Sequence, residues 1–372
     1  MMSRTPLRPL AFQTDDLALH KAIMQAAQQY LRSSNDNRFA NRWAIGKMVL
    51  LAGICLTCYW LSLQQHSAMA LFGWYLGFIF SGMLLVINVV HDTSHNAFFH
   101  SGWANALVGR LVSIPLGLDP DCWRGRHVIF HHTHTNIAGY DSDIDENGLL
   151  RQTPFQRWKP FMRFQHWYWP LIAAFTFPWY IWLVDWLDRT GLTRVTPRMA
   201  QRGLRGWAVF LLSKGLHFLL ALVTPSYVLS AEFSFFTILI IYLVCQMVSS
   251  LLFVMLIVGT HWAKSQFFEP PEVGSMPHTW YQHVFATTFD WQARPAWLGY
   301  WLGGANLHLT HHLFPNWHHR HYPALSQLIG EVATRFNIDY QKISLTELLQ
   351  LQQQFLKQMG VNPKSSQERS PL

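Results

Sequence analysis

Four long apolar runs divide the chain, and polar segments separate them. The runs cover residues 43–63, 69–90, 207–229 and 233–259. Each holds roughly 20 residues, the length that a helix rising about 1.5 Å per residue needs to cross a bilayer. Lys47 lies in the first run and Lys214 and His217 lie in the third, whereas the other two runs contain no Asp, Glu, Lys or Arg. The pattern predicts four transmembrane helices.

Two further apolar stretches are harder to interpret. Residues 103–118 form a short stretch that contains Arg110, which predicts a re-entrant or surface-lying segment. Residues 167–187 are rich in aromatic side chains but contain Pro170, Pro178 and Asp185. This composition favours a helix that lies on the membrane surface, with a true span as the alternative.

The distribution of Lys and Arg predicts the orientation. The short connections 64–68 and 225–232 contain neither residue, whereas the N-terminal arm and the segment 188–206 contain several. Because loops rich in Lys and Arg stay in the cytoplasm, we expect the arm, the middle segment and the C-terminal third on that side. The sequence therefore predicts a multi-pass protein of the bacterial cytoplasmic (inner) membrane, with its polar part facing the cytoplasm.

Composition supports a membrane protein. Hydrophobic residues make up 50% of the chain and charged residues 13%, against about 25% charged in soluble domains, which excludes a disordered chain and disfavours an ordinary soluble enzyme. The 18 Trp suit the interfacial belts of membrane proteins. The net charge of +8 fits an anionic membrane surface, and we expect no nucleic-acid partner because no such motif occurs.

Histidine is unusually frequent, and many of the histidines are clustered. The chain contains 20 histidines, as many as its Asp and Glu residues together. Three clusters lie on the predicted cytoplasmic side, and their spacing suits metal ligands. They are an H-x3-H (His91, His95), an H-x3-H-H (His127, His131, His132) and an H-x2-H-H (His308, His311, His312).

The spacing of these clusters predicts a centre with two metal ions. Residues i and i+4 share one face of an α-helix, so His127 should align with His131, while His132 should point about 100° away. One turn could then serve two ions, and eight imidazoles exceed the ligands of one. Imidazole binds zinc, copper, iron and nickel alike. A redox function beside lipid favours iron.

Other polar residues are candidates for supporting roles. His261 and His283 are candidate further ligands, with interfacial histidines as the alternative. Carboxylates and amides often accept a hydrogen bond from a ligand imidazole and so fix its tautomer; the candidates here are Asp92, Asp141, Asp143, Asp145 and Asn136. Four arginines near the second cluster could bind phosphate groups or an acidic electron donor, or could be ordinary cytoplasmic charge; they are Arg124, Arg126, Arg151 and Arg157.

The three clusters, in this order and topology, resemble the histidine boxes of the membrane fatty acid desaturase and hydroxylase superfamily. The resemblance runs from about residue 88 to residue 340 and is closest to the acyl-lipid and front-end, linoleoyl-type branch. The matching stretches are Asn88-Val89-Val90-His91-Asp92, His131-His132-Thr133-His134-Thr135-Asn136 and His311-His312-Leu313-Phe314-Pro315.

This resemblance implies a non-haem di-iron enzyme that inserts a cis double bond into a fatty acyl chain with O2 and two electrons. The implied fold is all-α, with four transmembrane helices and a cytoplasmic helical cap that holds two iron ions on the eight box histidines. Residues 43–345 would form the desaturase domain, between a cytoplasmic arm (residues 1–42) and a helix end with a disordered tail (residues 346–372).

The resemblance also implies partners and leaves alternatives. The substrate would be a fatty acyl lipid, an acyl-CoA or an acyl carrier protein. No H-P-G-G haem motif occurs in the sequence, so we expect a separate electron donor, ferredoxin or cytochrome b5 with a reductase. One alternative is a hydroxylase or ketolase of lipids, carotenoids or alkanes. The other is a metal transporter or sensor, which we disfavour because transporters place ionisable residues within their spans.

Overall fold

The computed structural model describes residues 8–363, and these residues are mostly helical. Four helices are long and apolar enough to cross a membrane, which confirms the four predicted spans: Arg42–Ser62, Ala68–Ser94, Gly203–Val228 and Phe235–Leu256. The second span continues past the predicted end at Val90 to Ser94, so it contains His91, and His95 follows directly after it. Turns of π-helix interrupt the second span at Val86–Val90 and the third at Leu219–Val223.

Local sequence explains where three of the spans begin. The side chains of Asn41, Ser67 and Ser234 accept hydrogen bonds from backbone N–H groups in the first turns of the first, second and fourth spans. These N-caps satisfy amide groups that a helix end otherwise leaves without partners. The second span packs against the first and the fourth. Large apolar side chains on the outer faces stay exposed, as a surrounding bilayer requires: Trp43, Val49, Leu56, Trp60 and Phe236.

The stretch around residues 167–187, for which the sequence left a surface-lying helix and a true span open, does not form one continuous helix. It is a helix pair, Pro160–Ala174 and Thr176–Arg189, bent by 56°. Ser250 of the fourth span fills the break, since its Oγ donates to the Ala173 carbonyl (2.7 Å) and accepts from the Phe177 amide (3.0 Å). A serine that satisfies freed backbone groups is how membrane proteins tolerate a broken helix. The pair is therefore a broken span or a re-entrant segment.

The other ambiguous stretch is a helix, Gly102–Ser113, with 12 residues. That length is too short to span a bilayer. Trp103 and Leu107 are exposed on one face, and Asn105 and Gly109 are buried on the other. The helix packs on the end of the second span, which agrees with a surface-lying segment.

The remaining elements form the part of the protein beyond the spans. The N-terminal helix Leu17–Ser33 packs on Tyr322–Arg335. The all-α prediction misses one short parallel strand pair, Asp290–Gln292 with Lys342–Ser344. The division into residues 1–42, 43–345 and 346–372 stays a prediction, and the predicted disordered tail after Pro363 lies outside the described residues. Other helices are Pro120–Arg124, Gly125–His131 (π), Thr196–Arg198 (3-10), Val258–Trp262 (3-10), Trp280–Thr287, Ala296–Trp301, His308–Leu313, His319–His321 (3-10) and Leu345–Met359.

Candidate metal centre

All eight histidines of the three clusters meet in one buried region, although up to 220 residues separate partners along the chain. Seven of them, together with one further histidine, form two groups, in each of which the ligand nitrogens lie within 4.8 Å of one another. We name them the first and the second histidine group. The first group is His91, His95, His127 and His311; the second is His131, His261, His308 and His312.

His132 borders both groups. Its Nε2 atom lies 2.7 Å from His311 Nε2 and 3.2 Å from His127 Nε2. Its ring stacks on that of His312 with centroids 4.2 Å apart. His132 is therefore placed as a fifth nitrogen of the first group, directly beside the second.

The second cluster departs from the geometry expected of an α-helix. Residues Gly125–His131 form a π-helix, and the His132 amide donates to the His127 carbonyl five residues earlier (3.0 Å). Such π-turns are frequent at functional sites. The rings of His127 and His131 stack as predicted, with centroids 5.5 Å apart. However, they serve different groups, and His132 turns back toward His127 instead of away from it.

The two further histidine candidates have different positions. His261 lies on the 3-10 turn Val258–Trp262 after the fourth span, and its Nε2 is 2.8 Å from His308 Nε2. The structure thus brings His261 into the second group. His283 lies outside both groups, since its Nε2 bonds to the Thr135 carbonyl (2.7 Å) and its Nδ1 to His278 (2.9 Å).

Outer hydrogen bonds orient several of the group histidines. The Nδ1 atom of His91 lies 3.1 Å from Asp92, and that of His131 lies 3.1 Å from Asp141. A proton held on Nδ1 by such a partner leaves the lone pair on Nε2, which points into the group. Both carboxylates were predicted to have this position.

Sequence reasoning missed two other partners. The Tyr322 hydroxyl lies 2.8 Å from His311 Nδ1. Thr135 Oγ1 donates to the His131 carbonyl (2.9 Å), so it can accept from His312 Nδ1 at 3.3 Å. Thr135 lies within the matching stretch of the second cluster and Tyr322 lies seven residues after that of the third, yet their residue types alone gave no signal for this role.

Of the other predicted partners, Asn136 and Asp143 lie beside Asp141, and Asp145 does not contact a histidine group. The Asp141 carboxylate also accepts from the backbone amides of Asn136 (2.7 Å) and Asp143 (2.9 Å). An Asp143 oxygen lies 3.6 Å from His131 Nδ1. The prediction for Asp145 is wrong, because Asp145 instead pairs with Arg194 at 2.7 Å.

Two of the four arginines are internal and cannot form a binding surface. Arg126 is buried between Asp185, at 2.6 Å, and Asp188. The Arg151 side chain is buried and donates to backbone carbonyls, including that of Pro154 (2.6 Å). Arg124 is partly exposed and Arg157 is exposed, so a role in binding phosphate or a donor remains a prediction for these two alone.

Burial keeps most of the group histidines neutral. Desolvation, followed by neighbouring histidines, holds the pKa of His127 and of His132 well below the usual range, and burial does the same for His308. His131 differs: burial lowers its pKa, but Asp141 and Asp143 outweigh that effect and raise the pKa to about 9. Neutral imidazole offers the lone pair that a metal needs.

The donor set fits two metal ions. Ring nitrogens face each other at 3.0 Å between His91 and His311 and at 2.8 Å between His308 and His261. The buried His95 Nε2 has no hydrogen-bond partner among the described residues. Buried polar atoms are normally paired. A cation at the centre of each group would bind the ring nitrogens that the four histidines of that group direct toward one another.

A cavity adjoins both groups. Histidines of both groups line it: His91, His127 and His311 of the first group and His131, His261 and His308 of the second. The rest is largely apolar and comes mainly from the ends of the second and fourth spans: Val86, Ile87, Phe253, Ile257 and Val258. An apolar chain in this cavity would lie directly beside the histidine nitrogens.

Fold and site together define a class of protein: a helical membrane protein with a buried, histidine-rich centre beside an apolar cavity. The sequence model of the fatty acid desaturase family matches residues 66–344. The chain therefore belongs to the fatty acid desaturase family. It is a membrane fatty acid desaturase, and neither the hydroxylase or ketolase alternative nor the transporter or sensor is favoured.

Named relatives are desaturases of acyl lipids. The chain is 29% identical over 262 residues to the sn-1 linoleoyl-lipid 6-desaturase of Synechocystis sp., covering 68% of this chain and 70% of that protein. It is 27% identical over 301 residues to the protein of the same name from Arthrospira platensis, covering 75% of each. An acyl-lipid (8-3)-desaturase from Physcomitrium patens is 24% identical over 323 residues, covering 86% of this chain and 66% of that protein.

Proposed function

We propose that the two histidine groups hold two iron ions, and that the protein uses O2 and two electrons to insert a cis double bond into the acyl chain of a lipid. The observation that carries this proposal is the cavity whose lining combines imidazole rings of both histidine groups with apolar side chains. Iron is preferred to zinc because the reaction of the family is an oxidation, and zinc has no redox chemistry.

The reaction balances as the loss of two hydrogens from adjacent methylenes, with O2, two electrons and two protons giving two waters. Bound iron supplies the oxidising chemistry. The chain supplies the rest: the histidines hold the ions, and Asp92 and Asp141 keep the ring protons of His91 and His131 on Nδ1. Val86, Ile87, Phe253 and Ile257 present apolar walls that exclude water and position a methylene.

The substrate that we propose is an acyl group esterified in a membrane lipid. Three relatives are named for acyl lipids, and the cavity receives apolar residues from two spans, so an acyl tail can enter from the bilayer. Acyl-CoA and acyl carrier protein are the alternatives. Lipid classes separated after short labelling in an expressing host should show the new double bond first in intact glycerolipids. Its first appearance in acyl-CoA would favour that carrier instead.

The test of the reaction is fatty acid analysis after expression in a host fed linoleate or oleate. We expect a product that is lighter than its precursor by two hydrogens and contains a new cis double bond. A product that is heavier by one oxygen, without a new alkene, would assign the chain to the hydroxylases. The His131→Ala variant, which removes a ligand of the second group, should give no product.

The electron donor and the orientation complete the proposal. Turnover should need ferredoxin, or cytochrome b5, with a reductase, and sustained turnover with NADPH alone would contradict this. We place the protein in the bacterial cytoplasmic membrane with both histidine groups facing the cytoplasm, on the distribution of Lys and Arg. A cysteine at Ala68, the first residue of the second span, should react only with reagents applied from outside the cell.

A further inference from the structure

A buried lysine lies inside the first span. Lys47 is near the start of Arg42–Ser62, and only 5% of its surface is exposed. An ammonium group in such a place is costly unless partners surround it, and such residues usually have a function. Lys47 Nζ donates to the Tyr300 carbonyl (2.9 Å) and lies 4.1 Å from the centre of the Tyr300 ring. Its third partner is His319 Nε2, at 2.8 Å.

From His319 the hydrogen bonds continue to the first histidine group. His319 Nδ1 lies 2.8 Å from Asp92 Oδ2, and the His319 backbone amide donates to the same oxygen at 3.1 Å. The other oxygen of Asp92 lies 3.1 Å from His91 Nδ1. His91 Nε2 faces His311 Nε2 at 3.0 Å inside the group. Lys47, His319, Asp92 and His91 thus form one continuous chain of contacts.

The chemistry of the lysine sets the direction of that chain. An ammonium group has three donors and no acceptor, so His319 must accept on Nε2 and carry its proton on Nδ1. That proton is then donated to Asp92. The carboxylate, which can only accept, also receives the Nδ1 proton of His91. The lone pair of His91 is therefore on Nε2, toward the first group.

We propose that Lys47 is a positioning residue for the first histidine group, acting through His319 and Asp92 to fix the tautomer and orientation of His91. This inference rests on the proposed function, in that it requires a metal ion in the first group. It goes beyond that function because it assigns a role at the metal centre to a residue of the first span. It also predicts that a change at Lys47 affects the first group alone, since the series of contacts from Lys47 ends at His91 and does not include a histidine of the second group.

The experiment compares iron occupancy in full-length protein purified in detergent. Lys47→Met removes the donor and keeps an unbranched side chain suited to the span. Lys47→Arg keeps a cation that can only donate. The matched control is Lys214→Met, because Lys214 is a buried lysine of the third span whose Nζ bonds to the carbonyls of Gly117 and Ile181 and to Asp185. Iron per chain, Mössbauer spectra and thermal unfolding are measured for each.

We expect about two irons per chain in the wild type, in Lys47→Arg and in Lys214→Met, given two groups of four imidazoles. Lys47→Met should hold about one, with loss or a marked shift of one Mössbauer doublet while the other stays unchanged, as partners of ligand histidines affect metal affinity by about 10–100-fold. Lys47→Met that holds both irons with the wild-type spectrum would overturn the inference. So would equal loss at both sites, since that indicates general damage.

A second variant keeps the test decisive if Lys47→Met does not fold. Lys47→Gln retains an amide donor but is shorter than lysine and uncharged, so it no longer fixes the orientation of the His319 ring, although Asp92 still requires the ring proton on Nδ1. It should lower occupancy or shift the spectrum at the same single site, and an unchanged spectrum would refute the inference. A wild-type protein without about two irons would instead refute the proposed centre, so failure of the inference and failure of the proposed function give different results.

Discussion

The two histidine groups differ in what holds them in place. The first is tied to the membrane bundle: His91 and His95 extend from the second span, and Lys47 in the first span reaches His91 through two further side chains. Most of the second group's support comes from loops. His131 ends a π-helix, and its partner Asp141 is fixed by the backbone amides of Asn136 and Asp143. Substitutions that destabilise the helix bundle should therefore weaken metal binding in the first group before they weaken it in the second.

Exposure follows the same division. All four histidines of the second group are buried, whereas 17% of the His91 side chain is accessible. His91 and His311 line the cavity together with Gly303, Gly304 and Tyr322. Because His131, His261 and His308 of the second group line the same cavity, the two groups differ in the exposure of His91 and not in contact with the cavity.

The largest effect should come from removing one ligand of either group. His95→Ala and His131→Ala should each abolish desaturation, because we propose that the reaction needs both ions, and iron should fall from about two per chain to about one. Gas chromatography of lipids and metal analysis provide the measurements. His278→Ala is the control, since His278 contacts His283 outside both groups. Substantial activity in either ligand variant would refute its role.

Membership of His261 in the second group is the next test. His261→Ala should empty the second group and leave the first loaded, with loss of most activity. His283→Gln should keep about two irons, because His283 bonds to Thr135 and His278 instead of to a group. Mössbauer spectra distinguish the two cases. If His261→Ala retained both irons and His283→Gln lost one, the assignment of the ninth histidine would be reversed.

Substitutions of the two carboxylates that contact ligand histidines should each affect iron binding in a different group. Asp92→Asn should weaken iron at the first group and Asp141→Asn at the second, each by about 10–100-fold. The reason is that an amide offers one oxygen where each carboxylate accepts from a ring N–H and from backbone amides. Iron release to a chelator, followed for each Mössbauer doublet, measures this. Both variants acting on the same doublet would contradict the division into two groups.

The smallest effects should come from the hydroxyl partners. Tyr322→Phe and Thr135→Val each remove one contact to a ligand Nδ1, and a typical hydrogen bond contributes about 0.5–1.5 kcal/mol. Tyr322→Phe should have the larger effect on its group, because its contact is 2.8 Å long against 3.3 Å for Thr135. Turnover and unfolding midpoints of both variants give the comparison. A larger effect of Thr135→Val on iron binding would show that the second group is the less robust.

Much of this centre could be predicted from spacing within short segments. The eight box histidines and Asp92 and Asp141 were identified in that way. His261 could only be named as a candidate, because its partner His308 is 47 residues away and no local spacing links them. The prediction for Asp145 was wrong for the same reason, since its carboxylate forms an ion pair with Arg194, which lies in a different segment.

The fold shows the same limit. The prolines at residues 170 and 178 were used only to favour a surface-lying helix over a span, and the break falls at neither of them but between Ala174 and Thr176, where Ser250 supplies the hydrogen bonds. Nothing in the composition of Gly125–His131 marks a π-helix. Lys47 appeared as a stray charge near a membrane boundary, and only the packed structure gives it a partner.

The π-helix of the second box makes the length of that segment as important as its residues. Deletion of one residue between Gly125 and His131 would restore an ordinary helical turn and rotate all that precedes it by about 100° relative to the histidines that follow. His127 would then lose its place beside His132 even though every histidine was still present. Over evolutionary time this segment should accept many exchanges of Val128, Ile129 or Phe130 for other apolar residues, but almost no change in the number of residues.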